Sequence, residues 1–284
     1  MTVSSILITG AGGQLGEALA ARYADRATVH AVGRGDLDIT DHAAVARVVA
    51  ATRPDLVINA AAYTDVDRAE SDARTALAVN GIAVGILARA TSAAGATLVH
   101  YSTDFVFAGR EPRAWTEDDT AESASVYGQS KLMGEWLARD CPRHYVLRVE
   151  SLFGGPRRRA TIDRIVDHLR AGREVRLFHD RTVTPSFVDD VVEATWSLVT
   201  RRAPAGVYHC VNSGQTTWLE MGRFVAGVLA IPDPALVPVS VADVALAAPR
   251  PQFAALSNRK LTAAGVPMPS WEDALRRYLA RLPA

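Results

Sequence analysis

Short, continuous apolar runs alternate with stretches of helical spacing through the first half of the chain. Ile6–Thr9 is an apolar run closed by Gly10, and the segment from Gln14 to Tyr23 then sets Leu15, Leu19 and Tyr23 on one face. Thr28–Val32 predicts a second strand, ended by the turn "GRGD". Asp41 stands where a cap belongs, ahead of Val45, Val48 and Val49, and Pro54 stops that helix. "DLVINAAA" predicts a third strand and residues 69–94 a long helix. "TLVHYSTD" predicts a fourth strand. "YVLRVESLFG" predicts a fifth, after a helix carrying "SVYGQSKLMGE".

Strands and helices alternating at this pace build right-handed β-α-β crossovers. The expected fold is therefore α/β, a doubly wound parallel sheet of the Rossmann kind. Strands covered on both faces read as unbroken apolar runs rather than alternating ones, as these do. After Ser151 the pattern loosens, and eight prolines between Pro204 and Pro269 cut the chain into short elements. That half is expected to add a smaller C-terminal lobe over the carboxyl edge of the sheet, where open α/β folds bind ligands.

Composition narrows the function classes. The 284 residues are 49% apolar and 22% charged, enough for one large domain or two intimate lobes. With 31 basic and 31 acidic residues the formal charge is zero, so nucleic acid and membrane surfaces are not expected partners. Cys141 and Cys210 form neither a disulfide framework nor a metal-ligand spacing, and no metal is expected. No apolar run approaches membrane-spanning length, and the N-terminal segment reads as a strand rather than a leader. A reduced, cytoplasmic setting fits these features. A homodimer is the one protein assembly left open.

"ILITGAGGQLGE" sets Gly10, Gly13 and Gly16 directly after a strand and at the start of a helix. Gly10 permits the tight turn, Gly13 admits a pyrophosphate to the backbone, and Gly16 lets helix and strand pack closely. The helix N-terminus then stabilises the phosphates. An acidic residue usually ends the second strand of such folds to hold a ribose. Here Gly33-Arg34 stands there, and an arginine fork suits a 2′-phosphate. NADPH is therefore the expected cofactor, with NADH as the alternative. Asp38 and Ile39 are expected beside the adenine. The small side chains of Ala60, Ala61 and Ala62 let a cofactor lie close to the third strand's end.

The fourth strand delivers Ser102, Thr103 and Asp104 to the same edge, and Tyr127 and Lys131 follow one helical turn apart. A free phenol, with a pKa near ~10, is a sluggish acid at neutral pH. An ammonium beside it would lower that value and make Tyr127 a proton donor. Thr103 can hydrogen-bond a substrate oxygen. His100, on the same strand, and Trp218, starting a later helix, read as core residues. Arg157 to Arg159 read as a solvated loop.

Taken together, "ITGAGGQLG", "RPDLVINAAAYTDVDRAESD", "AVNGIAV", "VHYSTDFVFAG", "VYGQSKLMGE", "GVYHCVNSGQTTW" and "RPQFAALSNRKL" resemble an extended short-chain dehydrogenase/reductase of the dTDP-4-dehydrorhamnose reductase family. The resemblance spans nearly the whole chain in family order. It implies a dinucleotide-binding part over residues 1–150, to which residues near 184–200 return, and a mainly substrate-binding lobe over 151–284. It implies NAD(P)H-dependent reduction at C4 of a 4-keto-6-deoxy sugar nucleotide. Thr103, Tyr127 and Lys131 become the catalytic set, with Asn80 supporting a lysine-linked water. Gly10, Gly13, Gln14, Leu15, Asp38, Ile39, Ala60–Ala62, Ser102, Tyr127 and Lys131 are assigned to the cofactor. Asp104, Pro185 and Arg250 are assigned to the nucleotide sugar, with Thr103 and Tyr127.

The chain departs from the family at the sugar. Phe105 stands where a tyrosine is common, and Glu150-Ser151 stands where the family reads Ser-Trp. An aromatic wall is lost and a carboxylate gained, so Phe105, Glu150 and Ser151 are expected to reshape the sugar subsite. An epimerase, a ketoreductase of different stereochemistry, or a regulatory subunit that binds nucleotide without turnover remain the rival readings.

Overall fold

A computed structural model describes residues 3–158 and 160–283; Arg159, last of the three loop arginines, lies outside them. Six strands form the central sheet: β1 (Ser5–Thr9), β2 (Thr28–Val32), β3 (Leu56–Asn59), β4 (Thr97–Thr103), β5 (His144–Val149) and β6 (Gly206–His209). They run parallel in the order β6-β5-β4-β3-β1-β2. The chain leaves β1 toward β2 and returns to β1's other side as β3. The carboxyl ends of β1 and β3 therefore flank the switch point, where a doubly wound sheet opens a crevice.

The helices are α1 (Gln14–Tyr23), α2 (His42–Thr52), α3 (Ala73–Ala93), α4 (Val126–Ala138), α5 (Thr161–Arg170), α6 (Val188–Thr200), α7 (Trp218–Val228) and α8 (Trp271–Leu279). Asp41 caps α2 by accepting from the Ala44 N–H, and Arg53, in the left-handed region, ends it before Pro54. Ser125 caps α4 through the Gly128 N–H. One side of the sheet is sealed by Leu15, Leu19 and Tyr23 of α1 and Val188, Val191 and Val192 of α6. The other is sealed by Val45 and Val49 of α2 and Val84 and Leu87 of α3. Residues 188–200 thus pack on the sheet. A separate cluster built on α5, α7 and α8, with Phe153, Phe187 and Trp218, fills the second half.

Three expectations need correction. The long helix does not begin near 69: a short helix, Val66–Ala69, is capped by Asp65, and α3 starts at Ala73. Within α3, Ala78–Ile82 winds as a π-turn. This helix is also long and apolar enough to cross a membrane by length and composition, contrary to the sequence reading, yet its apolar side is packed into the sheet core. The fifth strand stops at Val149, because Ser151 takes φ +46 and turns the chain. Leu152–Phe153 then pairs with Ser186–Phe187 instead.

Candidate active site

Gly10 takes φ +73, and a Cβ there would fall 2.4 Å from the Ala61 nitrogen, so no side chain fits between the glycine turn and the end of β3. Gly13 is the N-cap of α1 and offers no side chain to its first N–H groups. Gln14 and Leu15 contribute backbone donors at this terminus. The Gln14 amide itself donates to the Gly154 carbonyl at 2.7 Å, and the Leu15 side chain is buried in the core. A Cβ on Gly12 would meet nothing within 4 Å, so the loop is open beside the N-terminus of α1, which fits a pyrophosphate there.

Arg34 stands exposed in the turn after β2. Asp36, which the sequence reading passed over, closes that turn by accepting from the Gly33 N–H at 2.8 Å. Asp38 accepts from the Thr40 N–H and hydroxyl, bonds that hold its carboxyl below the usual range. Ile39 is buried with Leu37 in the core beneath α2, so its side chain is not free to lie against an adenine as expected. Ala60 and Ala61 are half-buried and Ala62 exposed at the end of β3.

At the end of β4, Thr103 donates to Asp104 Oδ1 at 2.8 Å and caps the short turn that carries Phe105. Phe105 meets Tyr127 edge-on, with ring centroids 5.5 Å apart. Tyr127 and Thr103 thus come together at the carboxyl edge of the sheet. Lys131, one turn along α4, is buried and donates to the Tyr101 carbonyl at 2.5 Å. Burial pushes its ammonium down to about 8, against Glu135. The protein's own groups act against the lowering of the phenol, which is expected from Lys131 together with a nicotinamide made cationic by hydride loss. Burial, reinforced by the Asp104 carboxylate, raises Tyr127 above its ordinary value, and a hydrogen bond with Thr103 only partly opposes this. Lys131 is turned to the backbone of β4 and does not figure among the groups that shift the phenol.

Two further expectations are redirected. The Ser102 hydroxyl, assigned to the cofactor, donates to Glu135 Oε1 at 2.5 Å inside the protein. Asn80 sits in the π-turn, and its amide is spent on both backbone groups of Tyr63, at 2.8 and 2.9 Å, and on Ser130 at 3.0 Å. Its side chain ties the loop after β3 to α4, while its backbone carbonyl faces α4 at Gly134, close to His100 Nε2.

Two of the residues expected at the sugar, Asp104 and Glu150, are buried carboxyls. Among the described residues Asp104 Oδ2 and Glu150 Oε1 have no hydrogen-bond partner, while Glu150 Oε2 accepts from the Thr184 N–H at 2.6 Å. Burial raises both carboxyls, Asp104 to about 6 and Glu150 well above its ordinary value. Arg181, missed in the sequence, lies 3.8 Å from Asp104 Oδ2 and above the Phe105 ring. Pro185 is buried beside Ser186, and Ser151 is half-buried. Arg250 is held by Asp67 at 2.7 Å and also stands over Phe105.

Sequence reasoning also missed Glu135 and Arg148, whose buried pair closes at 2.7 Å beneath α4. The signal was present: Arg148 interrupts an otherwise apolar strand, and such a charge needs a buried partner. His100 and Trp218 are core residues, as their surroundings required.

A glycine crevice at the switch point of a doubly wound sheet, with Thr103, Tyr127 and Lys131 at its edge, is the architecture of a nicotinamide-dependent short-chain dehydrogenase/reductase. More narrowly, the chain belongs to the RmlD substrate binding domain family, whose model matches residues 4–283. It is 38% identical over 281 residues to a dTDP-4-dehydrorhamnose reductase of Streptomyces griseus, covering 95% of this chain and 91% of that one. It is 31% identical over 278 residues to the spore coat polysaccharide biosynthesis protein SpsK of Bacillus subtilis, covering 98% and 97%. Among solved structures, dTDP-4-dehydrorhamnose reductase of Bacillus anthracis in complex with NADP superposes with a TM-score of 0.93 at 29% identity, covering 99% of this chain and all of that one.

Proposed function

We infer that this protein is an NADPH-dependent reductase of a nucleotide-activated 4-keto-6-deoxy sugar, acting at C4 as a dTDP-4-dehydrorhamnose reductase does. The observation that carries the reading is the meeting of Tyr127, Thr103 and Asp104 beside the glycine crevice. Gly10, Gly13, the backbone of Gln14 and Leu15, and Arg34 would hold the cofactor, which supplies a hydride when bound. Asp38 and the Ala60–Ala62 backbone would flank it.

The chain's own part is proton supply and placement. Thr103 orients the carbonyl oxygen by hydrogen bonding. Tyr127, kept protonated by burial and by Asp104, donates its proton to the oxygen that develops charge at C4. Lys131, with a proton it can release near neutral pH, restores the phenol. The second lobe, with Pro185, Ser151 and Arg250, closes on the nucleotide sugar. Phe105 offers an apolar face in place of a hydroxyl. The buried carboxyls of Asp104 and Glu150, each with one oxygen unpaired among the described residues, would border a sugar subsite without the family's tryptophan.

The reading places the protein in the cytoplasm, in keeping with two free, buried cysteines. It takes a second copy of the chain as the cover for exposed Ile82 and Trp136 on the packed pair α3 and α4. Stoichiometric NADPH consumption on a panel of thymidine-diphosphate 4-keto sugars, with NMR of the product, tests it. A tightly held cofactor and turnover without added reductant would instead mark an epimerase.

A further inference from the structure

A row of polar groups crosses the sheet where the proton chemistry above does not need one. Thr9, Asn59 and His100 stand directly opposite one another on β1, β3 and β4. All three are buried. The Thr9 hydroxyl donates to Asn59 Oδ1 at 2.8 Å, and the Ala61 backbone N–H donates to the same oxygen at 3.2 Å. A backbone N–H cannot accept, so the orientation of the Asn59 amide is fixed by its surroundings. Its Nδ2 then faces His100 Nδ1 at 3.1 Å and donates to it. An imidazole whose Nδ1 accepts carries its proton on Nε2. That Nε2 lies 3.5 Å from Lys131 Nζ.

We propose that Thr9, Asn59 and His100 form a tautomer lock: the row holds His100 neutral with its proton on Nε2, so that Lys131 faces a donor rather than a lone pair and its amine form is favoured over its ammonium. His100 and Asn59 are thus positioning residues, acting on the reaction through Lys131. The inference rests on the reading that Lys131 serves Tyr127.

The other groups around Lys131 leave room for this effect. The Tyr101 carbonyl accepts from Nζ and favours the ammonium. So does Glu135, one turn along α4, but its carboxylate is bound by Arg148 at 2.7 and 2.9 Å and by Ser102. Asp104 and the Tyr127 phenol lie toward the crevice. From α3 the Asn80 carbonyl presses on the same spot: a Cβ on Gly134 would fall 2.2 Å from that oxygen and 3.2 Å from His100 Nε2. His100 itself is driven well below its ordinary value, by burial first and then by Lys131, which keeps it uncharged.

The test begins with the unaltered protein bound to NADPH. Long-range proton–nitrogen NMR of ¹⁵N-histidine-labelled protein, with the His100 signal assigned by its loss in His100→Gln, should show a neutral Nε2–H ring throughout the neutral range. An Nδ1–H ring or an imidazolium would overturn the lock. Asn59→Asp replaces the donor at Nδ1 with an acceptor, so the ring should switch tautomer and the basic limb of the kcat/KM pH profile should rise by about one unit. Asn59→Leu, which adds no charge, should move the limb in the same direction by less. Movement with Asp alone would assign the effect to added charge and overturn the proposal. The NMR result does not depend on catalysis, so an active Lys131→Met variant would strike the role of Lys131 without touching the tautomer.

Discussion

Gly16 and Gly10 touch where a side chain would forbid it: a Cβ on Gly16 would lie 2.2 Å from the Gly10 carbonyl oxygen. That oxygen is backbone of the turn beneath the crevice and cannot swing aside. Gly16→Ala must therefore push α1 away from β1, at a cost of about 1–3 kcal/mol for overpacking. The melting temperature should fall, and NADPH affinity by fluorescence titration should drop ~10-fold or more, since 1.4 kcal/mol is a tenfold change. Full affinity in the variant would show that the helix terminus does not hold the pyrophosphate.

Glu135 anchors the underside of α4 to β5 through Arg148, both groups being buried. Removing one partner of such a pair leaves a charge stranded. Glu135→Ala should cost about 3–5 kcal/mol in urea unfolding. A loss of only a few tenths would mean that water reaches Arg148.

The buried carboxyls give a pH dependence with a definite sign. Burial raises Asp104 to about 6 and Glu150 well above its ordinary range. The folded protein then binds protons that the unfolded chain releases near pH ~4. Their contribution to stability is complete below that point and is lost as pH climbs through the folded values. Glu150→Gln can keep the bond from the Thr184 N–H while removing the charge. Its melting temperature should match the parent near about pH 5 and exceed it near about pH 8. An equal gap at both values would show that Glu150 does not titrate there. If its orphan oxygen accepts from the sugar, the same variant should raise the substrate KM ~10-fold, the scale of one charge-assisted hydrogen bond.

Arg34 is exposed after β2, with Asp38 close enough to feel its charge. Arg34→Ala should lower kcat/KM for NADPH about 10- to 100-fold and leave NADH nearly unchanged, the difference lying in one bidentate phosphate contact. An unchanged ratio between the two cofactors would mean that the selection is made elsewhere.

The frame was legible because apolar runs, caps and glycines are local signals. α1 and β2 lie where spacing predicted them, and Asp41 caps as read. β6 was not recognised as a strand, since Gly206–His209 is short, follows Pro204 closely and gains its identity by pairing with β5. The π-turn in α3 was equally invisible: the Asn and Gly of "AVNGI" are weak helix formers but carry no signal for wider winding, and Gly81 packs closely on Met133 of α4. At the site, residue types predicted which side chains converge on the edge of β4 but not which way each hydroxyl or amide turns. Ser102 and Thr103 are neighbours on one strand, so they face opposite sides, one to Glu135 and one to the crevice. The resemblance gives Asn80 to the catalytic set and Ile39 and Arg250 to ligands, and each also has a protein partner that only the folded chain could reveal.

The central claim is that the Tyr127 phenol delivers the proton while the glycine crevice holds the cofactor independently. Tyr127→Phe keeps the ring against Phe105 and removes only the acidic oxygen. Turnover of thymidine-diphosphate 4-keto-6-deoxy sugar, followed by the loss of NADPH absorbance, should fall by about 10²- to 10⁴-fold, with NADPH affinity within about twofold of the parent. Reduction at the parental rate would contradict the account at its root.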